Sequence, residues 1–286
     1  MRLLLIGKNG QIGAEINHLA KNYGFEIFAF SKEELDITDV ENLKKKIIRY
    51  HPDFIINASA YHVLPDCEKY PENAFKINAS CLKELAEICS EKEIKLVHFS
   101  TSYVFDGKKK SPYSEQDYSN PLQIYGISKL AGEQIVWNYC KECIIIRTCA
   151  VFGGKTGSRS KKGNFLLNII DQANGKKELE VSGEQIISPS YAVDVAEATL
   201  KLLKKKKAAG IYNFINRGIC SWADLAKEVV KVKKINTKIV PVDRGGMAGV
   251  LRRPLNSSII NTRAKRLGIV LPHWRDGVKR YLLSLN

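Results

Sequence analysis

The chain has 286 residues, a formal net charge of +15 and an apolar fraction of 44%. That length holds one large α/β domain or a core with a smaller lobe, and the composition is that of an ordinary globular protein. The excess charge sits in short lysine groups at 44–46, 108–110 and 204–207, without interleaved aromatics, so it reads as solvated surface and not as a nucleic-acid platform. A basic surface still attracts anionic nucleotides. The opening run Met1-Arg2-Leu3-Leu4-Leu5-Ile6-Gly7 is too short for a signal segment, and no apolar stretch is long enough to span a bilayer. A cytoplasmic enzyme is expected, with no membrane partner.

Residues 2–6 form a continuous apolar run, as in a strand buried on both faces. Gly7-Lys8-Asn9-Gly10-Gln11-Ile12-Gly13 follows and leads into a helix expected over 14–23. Glycines at that spacing allow a tight turn and close backbone approach to a diphosphate, whose charge the helix N-terminus then faces. A second strand is expected over 25–30. Its end carries Ser31 and Lys32 where a ribose-binding carboxylate would stand in an NAD site. This pair favours the 2′-phosphate of NADPH, although NADH is not barred. Asp36 and Ile37 precede a helix expected over 39–50, with Thr38 or Asp39 as its cap.

A third strand over 53–58 ends in Ala58-Ser59-Ala60-Tyr61, small residues beside which a cofactor can pass. A helix over 74–91 and a fourth strand over 95–100 follow, and Thr101 is expected just past that strand's C-terminal end, where open α/β sheets place ligands. After the loop Ser119-Asn120-Pro121-Leu122, a helix opens with Tyr125-Gly126-Ile127-Ser128-Lys129. Residues four apart share a helical face, so Tyr125 and Lys129 point into one space. A lysine ammonium and a helix N-terminus both favour the phenolate, and the pair suits proton transfer to a carbonyl oxygen.

A strand is expected over 144–150, broken at Gly153-Gly154, then a basic Gly/Ser-rich mobile loop over 155–163 and a helix over 164–175. Later units are shorter: a strand over 179–181, a helix over 194–205, a strand over 210–215, a capping box at Ser221-Trp222-Ala223-Asp224 opening a helix to about 231, and loop over 241–258. The seven cysteines, in apolar contexts and odd in number, read as reduced buried thiols; Cys140 and Cys143 lack the strand-to-helix setting of a redox motif. Trp222 and Trp274 read as packing residues, and His62 as a loop residue that could face the site. No cluster has metal-ligand spacing, so no metal is assigned.

Taken together these motifs resemble the extended short-chain dehydrogenases/reductases, and within them the dTDP-4-dehydrorhamnose reductase family. The resemblance spans nearly the whole chain. It rests on Gly7 to Gly13, Leu35-Asp36-Ile37-Thr38, Ser100-Thr101 with Tyr103-Val104-Phe105-Asp106-Gly107, Tyr125 to Glu133, Arg147-Thr148, Asn164-Phe165, Arg253-Pro254 with Ser257, and Leu271-Pro272-His273-Trp274. It implies a Rossmann-type doubly wound parallel sheet with a smaller interleaved C-terminal substrate lobe. Residues 1–155, with a return around 186–216, would bind NADP; 156–286 would form most of a discontinuous substrate lobe. It implies a Thr101–Tyr125–Lys129 triad acting on a nucleotide-linked 4-keto-6-deoxy sugar, a cofactor site from Gly7, Asn9, Gly10, Gln11, Ile12, Gly13, Ser31, Lys32, Asp36, Ile37, Ala58, Ser59 and Ala60 with Tyr125 and Lys129, and a substrate site from Thr101, Ser102, Ala150, Asn164 and Arg253.

Three departures stand out. Ser102 replaces the family's Asp after the triad threonine, Ala150 replaces its Trp, and Pro65-Asp66 replaces an Asp-Lys pair. The cofactor half is thus intact and the sugar shell altered, which predicts that dTDP-4-dehydrorhamnose is a weak substrate and another keto sugar nucleotide a better one. Two other readings stay open: a non-catalytic NADP-binding regulatory subunit, and a sugar-nucleotide epimerase or dehydratase. Against the dehydratase, no acidic residue directly follows Thr101. Whether the chain forms a homodimer is not legible.

Overall fold

The structure, a computed structural model, describes every residue except 155–162, 206, 244, 249–250 and 286. Strand β1 (Arg2–Ile6) leads into α1 (Gln11–Leu19), β2 (Glu26–Phe30), α2 (Val40–Tyr50) and β3 (Phe54–Asn57). Two short helices, α3 (Leu64–Lys69) and α4 (Pro71–Phe75), precede a π-helical turn over Lys76–Ser80 and α5 (Leu82–Glu91). The single helix expected over 74–91 is therefore interrupted by that turn. Strand β4 (Lys95–Thr101), helix α6 (Ile124–Tyr139) and strand β5 (Cys143–Thr148) complete the first half.

Beyond it come β6 (Val151–Phe152), α7 (Phe165–Ala173), β7 (Glu178–Ser182), β8 (Ile186–Ile187), β9 (Ser190–Tyr191), α8 (Ala192–Leu203) and β10 (Gly210–Asn213). The chain ends with β11 (Cys220–Ser221), α9 (Trp222–Lys233), β12 (Lys238–Val242), β13 (Met247–Ala248), β14 (Leu251–Arg252), α10 (Arg263–Arg266) and α11 (Trp274–Leu283). The segment expected as loop over 241–258 thus holds the end of β12 and a small β13–β14 hairpin, whose two-residue strands are too short to leave a periodic signal. The loop expected over 155–163 lies, apart from Gly163, outside the described residues.

Six strands form one parallel sheet in the order β10-β5-β4-β3-β1-β2. Its centre is apolar on both faces. Leu3 and Leu5 pack into the layer containing α1 and α8, while Leu4 and Ile6 pack into the layer containing α2 and α5. Leu3, Leu4, Leu5, Ile55, Ile56, Leu96 and Val97 are all fully buried, which is why these strands read as unbroken apolar runs. A third core joins α7, α9 and α11 to the short strands. The capping box of α9 forms as expected: Asp224 N–H donates to Ser221 Oγ at 3.0 Å, and Ser221 N–H to the Asp224 carboxylate. Helix α2 is capped by Asp39, which accepts the Asn42 N–H. The cysteines are free thiols, six of them buried, Cys140 and Cys143 among them. No helix among the described residues is long and apolar enough to cross a membrane.

Strand order reverses between β2-β1 and β3-β4, so a crevice opens at the carboxyl ends of β1 and β3. Open α/β sheets bind ligands at such a point.

Candidate active site

A cavity of about 750 Å³ occupies that crevice and continues past β4 towards the C-terminal elements. Its first wall is the turn after β1. Gly7 has φ +91°, and a Cβ there would press on the Ala58–Ser59 backbone at 3.0 Å. Gly13 lets α1 cross β1 closely, since a Cβ would meet Gly7 O at 2.2 Å. Gly10 precedes α1, supplies no side-chain cap, and borders open space. The first N–H groups of this nine-residue helix are thus left for a ligand, and the backbone cradle fits a dinucleotide diphosphate. Asn9, Gln11 and Ile12 also line the cavity. Gln11 further ties the turn to the second half of the chain: its Nε2 donates to Val151 O at 3.4 Å, and Asn164 Nδ2 donates to its Oε1 at 3.3 Å.

Past β2, Lys32, Asp36 and Ile37 line the cavity, but Ser31 does not. Ser31 is buried, and its N–H donates to Glu34 Oε2 at 2.7 Å. Glu34 also takes a salt bridge from Lys8 at 2.6 Å, which holds its carboxyl well down, at about 2. Gly13 is likewise buried and packs the helix on the turn after β1, with its N–H among the first of α1. Glu33, by contrast, lines the cavity beside Lys32, so one carboxylate does stand at the mouth expected to be free of them. Ala58, Ser59 and Ala60 form the floor past β3. Asn78, on the π-helical turn, anchors the next residue: its Oδ1 accepts Tyr61 N–H and its Nδ2 donates to Tyr61 O, both at 2.8 Å.

The proposed triad converges on this cavity. Thr101 is the last residue of β4, not a residue past it, and caps the short 3₁₀ turn Ser102–Val104. Tyr125 and Lys129 sit one turn apart on α6, whose N-cap Gln123 accepts the Gly126 N–H at 2.6 Å. Gly126 has a specific duty. A Cβ there would lie 2.2 Å from Tyr103 O, so only glycine lets α6 seat against the turn that carries Thr101. Thr101 and Tyr125 then line the same cavity, with the threonine hydroxyl near enough to favour the phenolate. Gly132 does the same farther along, where a Cβ would lie 2.1 Å from Asn78 O. Lys129 is 1% exposed; its Nζ donates to Phe99 O at 2.6 Å and lies 3.0 Å from His98 Nε2.

Burial raises the Tyr125 phenol above its ordinary value, and the Thr101 hydroxyl nearby only partly offsets this. The expected lowering by Lys129 is not among its causes. The reason is that the lysine is itself desolvated, down to about 8, and its nitrogen is turned to Phe99 O and His98.

The far wall holds the expected substrate residues Ser102, Ala150, Asn164 and Arg253. Ser102 is buried, and the Cys149 thiol, which accepts the Ser188 N–H, donates to Ser257 O at 3.3 Å. Ala150 has φ +44°, a left-handed kink that ends β5 before β6 begins. Asn164 caps α7 through Leu167 N–H at 3.1 Å and donates to Tyr281 Oη at 2.9 Å, so its polar atoms are already engaged with the protein. Arg253 Nε is buried without a hydrogen-bond partner, a donor suited to an anionic ligand. Its loop is pinned by Gly107, whose φ of +76° and missing Cβ let Pro254 pack directly on it.

Sequence reasoning did not assign Tyr103, Phe165 and Trp222 to the site. Tyr103 stands edge-on to Tyr125 with ring centroids 6.3 Å apart, and Trp222 packs on Phe165 with centroids 4.5 Å apart and planes tilted by 51°; all three line the cavity. Only the fold brings α7 and α9 to this wall, and no linear spacing carried that signal. His62 lines the cavity mouth, while Trp274 is buried packing as expected. Among the described residues no group of histidine, cysteine and carboxylate side chains could hold a metal ion.

A doubly wound parallel sheet, a glycine cradle at the switch point and a Thr-Tyr-Lys set at the end of β4 define an extended short-chain dehydrogenase/reductase. The family model described as RmlD substrate binding domain matches residues 1–286. The spore coat polysaccharide biosynthesis protein SpsK of Bacillus subtilis is 34% identical, over 98% of this chain and 96% of its own. The dTDP-4-dehydrorhamnose reductase of Escherichia coli is 31% identical, over 100% of this chain and 98% of its own. The crystal structure of dTDP-4-dehydrorhamnose reductase from Bacillus anthracis in complex with NADP superposes with a TM-score of 0.91 at 30% identity, covering 100% of this chain and 99% of that one. The chain belongs to the RmlD family, that of the dTDP-4-dehydrorhamnose reductases.

Proposed function

We propose that this protein is an NADPH-dependent reductase of a dTDP-linked 4-keto-6-deoxy sugar. The observation that carries the reading is the convergence of Thr101, Tyr125 and Lys129 at the end of β4 on one cavity, which the glycine cradle and Arg253 also line. The cradle at Gly7 and Gly10 and the α1 N-terminus would hold the dinucleotide diphosphate, with Lys32 at the adenosine ribose. Bound NADPH supplies the hydride. Thr101 orients the substrate carbonyl, and Tyr125 gives its phenolic proton to the oxygen. A tyrosine whose burial keeps it protonated is suited to be that acid. Arg253 would grip the sugar nucleotide's diphosphate. In this reading residues 1–155, with the return at 186–216, serve the cofactor and most of 156–286 serves the sugar nucleotide.

The dehydratase reading has no support at the site, where Ser102 and Tyr103 supply no carboxylate after Thr101. Against the altered sugar shell stands the aromatic pair Trp222 and Phe165, which lines the same cavity as Ala150 and would offer a sugar the apolar surface that Ala150 does not. NADPH oxidation followed with a panel of dTDP-linked 4-keto sugars, dTDP-4-dehydrorhamnose first, tests the reading. Turnover near or above the ~10⁴ M⁻¹s⁻¹ typical of enzymes on their own substrates is expected for one of them. NADPH binding with no turnover of any would overturn it in favour of a binding module.

A further inference from the structure

His98 is a buried titratable side chain that the proton transfer above does not use, and its hydrogen bonds can be counted. It is 1% exposed, on β4, with its ring between Asn57 at the end of β3 and Lys129 on α6. Ser59 donates twice to Asn57 Oδ1, from its N–H at 3.0 Å and from its hydroxyl at 2.6 Å. A backbone N–H can only donate, so the amide oxygen must face Ser59 and the amide NH₂ must face His98. That NH₂ lies 3.1 Å from His98 Nδ1, which therefore accepts. A neutral imidazole carries one proton. It then sits on Nε2, 3.0 Å from Lys129 Nζ.

The other arrangements each leave two donors facing one another. Flipping Asn57 turns its NH₂ onto the Ser59 N–H. Moving the imidazole proton to Nδ1 turns it onto the Asn57 NH₂. Doubly protonating His98 again turns an Nδ1–H onto the Asn57 NH₂, and burial with the Lys129 charge beside it disfavours that cation strongly.

We propose that Asn57 and His98 are positioning residues for Lys129: Asn57 locks His98 in the Nε2-protonated tautomer, whose N–H is placed to donate to Lys129 Nζ once that nitrogen has given up its proton. The functional meaning of this state rests on the reading of Lys129 as the partner of Tyr125. The amine is the form left behind whenever Lys129 passes a proton towards the tyrosine, and the imidazole N–H is placed to stabilise it. The proton that leaves Nζ restores the Tyr125 phenol after its own proton has gone to the substrate oxygen, and solvent recharges the amine before the next turnover.

The groups facing Lys129 pull in both directions. Glu133 on its own helix and the Cys81 sulfur at the start of α5 favour the ammonium, as does the Phe99 carbonyl; burial opposes it. Burial is the largest influence, and it brings the lysine from 10.5 to about 8, within reach of a single hydrogen bond's bias.

Nitrogen NMR of the ligand-free full-length protein labelled at its five histidines tests this directly. The His98 resonances, assigned by their absence in His98→Gln, should show Nε2 protonated and Nδ1 bare. The Asn57→Asp substitution keeps both acceptors for Ser59 but offers an anionic acceptor to Nδ1, so the tautomer should invert and Nε2 should accept from a Lys129 ammonium. The alkaline limb of kcat/KM, expected near pH 8 in the native enzyme, should then move up by about a unit or more. A native His98 protonated at Nδ1 would overturn the proposal, and so would a limb that moves in Asn57→Asp without the tautomer inverting. The native measurement needs no turnover and no folded variant beyond the assignment, so a missing reductase activity would defeat the functional reading while leaving the tautomer result standing.

Discussion

Arg147 Nε donates to Glu133 Oε1 at 2.8 Å and its Nη2 to Glu133 Oε2 at 2.5 Å, and this fully buried bidentate pair sets the depth of α6 on the sheet. The Ser100 hydroxyl completes it with a bond to Oε1 at 2.5 Å, and the Phe105 ring lies under the guanidinium at 5.1 Å. Because Glu133 is one turn beyond Lys129, the pair registers Tyr125 against Thr101. Removing one partner strands a buried charge, which typically destabilises by about 3–5 kcal/mol. Glu133→Ala should lower the unfolding midpoint in denaturant accordingly. Glu133→Leu with Arg147→Met should recover much of the loss in the same titration, since two well-packed apolar residues leave no charge unpaired.

Tyr125→Phe removes the proton donor and leaves the helix intact. Reductase kcat should fall by about 10²–10⁴-fold, the usual worth of general acid catalysis, with the NADPH dissociation constant unchanged. Full activity in this variant would move the proton donor elsewhere in the cavity.

The cofactor preference separates two residues that the sequence treated as a pair. Lys32 lines the cavity and Ser31 is bonded to Glu34. Lys32→Glu should erase or reverse a preference for NADPH over NADH. Ser31→Ala should leave it untouched, as read by fluorescence titration of both cofactors. A large loss of NADPH affinity in Ser31→Ala would show that the serine reaches the 2′-phosphate after all.

Arg253→Ala deletes a buried guanidinium nitrogen that has no protein partner. Hydrogen bonds to charged groups contribute roughly 1.5–3 kcal/mol. Sugar-nucleotide KM should therefore rise by about tenfold or more while NADPH binding is spared. The opposite pattern, measured by calorimetry with dTDP and with NADPH, would place Arg253 at the cofactor.

Trp222→Ala tests whether this indole replaces the wall that Ala150 cannot provide. Buried apolar surface is worth about 25 cal/mol per Å², so losing an indole contact should raise the sugar-nucleotide KM about tenfold or more. Trp222 also packs tilted against Phe165, so Trp222→Phe should retain most of the affinity. An unchanged KM in Trp222→Ala would return the residue to a packing role.

The sequence by itself determined the sheet and named the groups proposed to react. Strands buried on both faces must be continuously apolar, and the runs at β1, β3, β4 and β5 say so. The glycines that the cradle and α6 require are visible as letters, and Tyr125 with Lys129 share a face by helical geometry alone. What only the tertiary structure decided lies where one backbone meets another. Ser31 and Lys32 are neighbours in the chain, yet one turns to Glu34 and the other to the cavity, a choice made by side-chain partners and not by spacing. Trp222 comes to Ala150's wall from another helix across a long stretch of chain. The charge state of Lys129 is set by burial, by the Phe99 carbonyl and by a histidine whose proton is placed by an asparagine two strands' width away from the helix. Such states depend on desolvation and on which donors are already spent, and both exist only once the chain has packed.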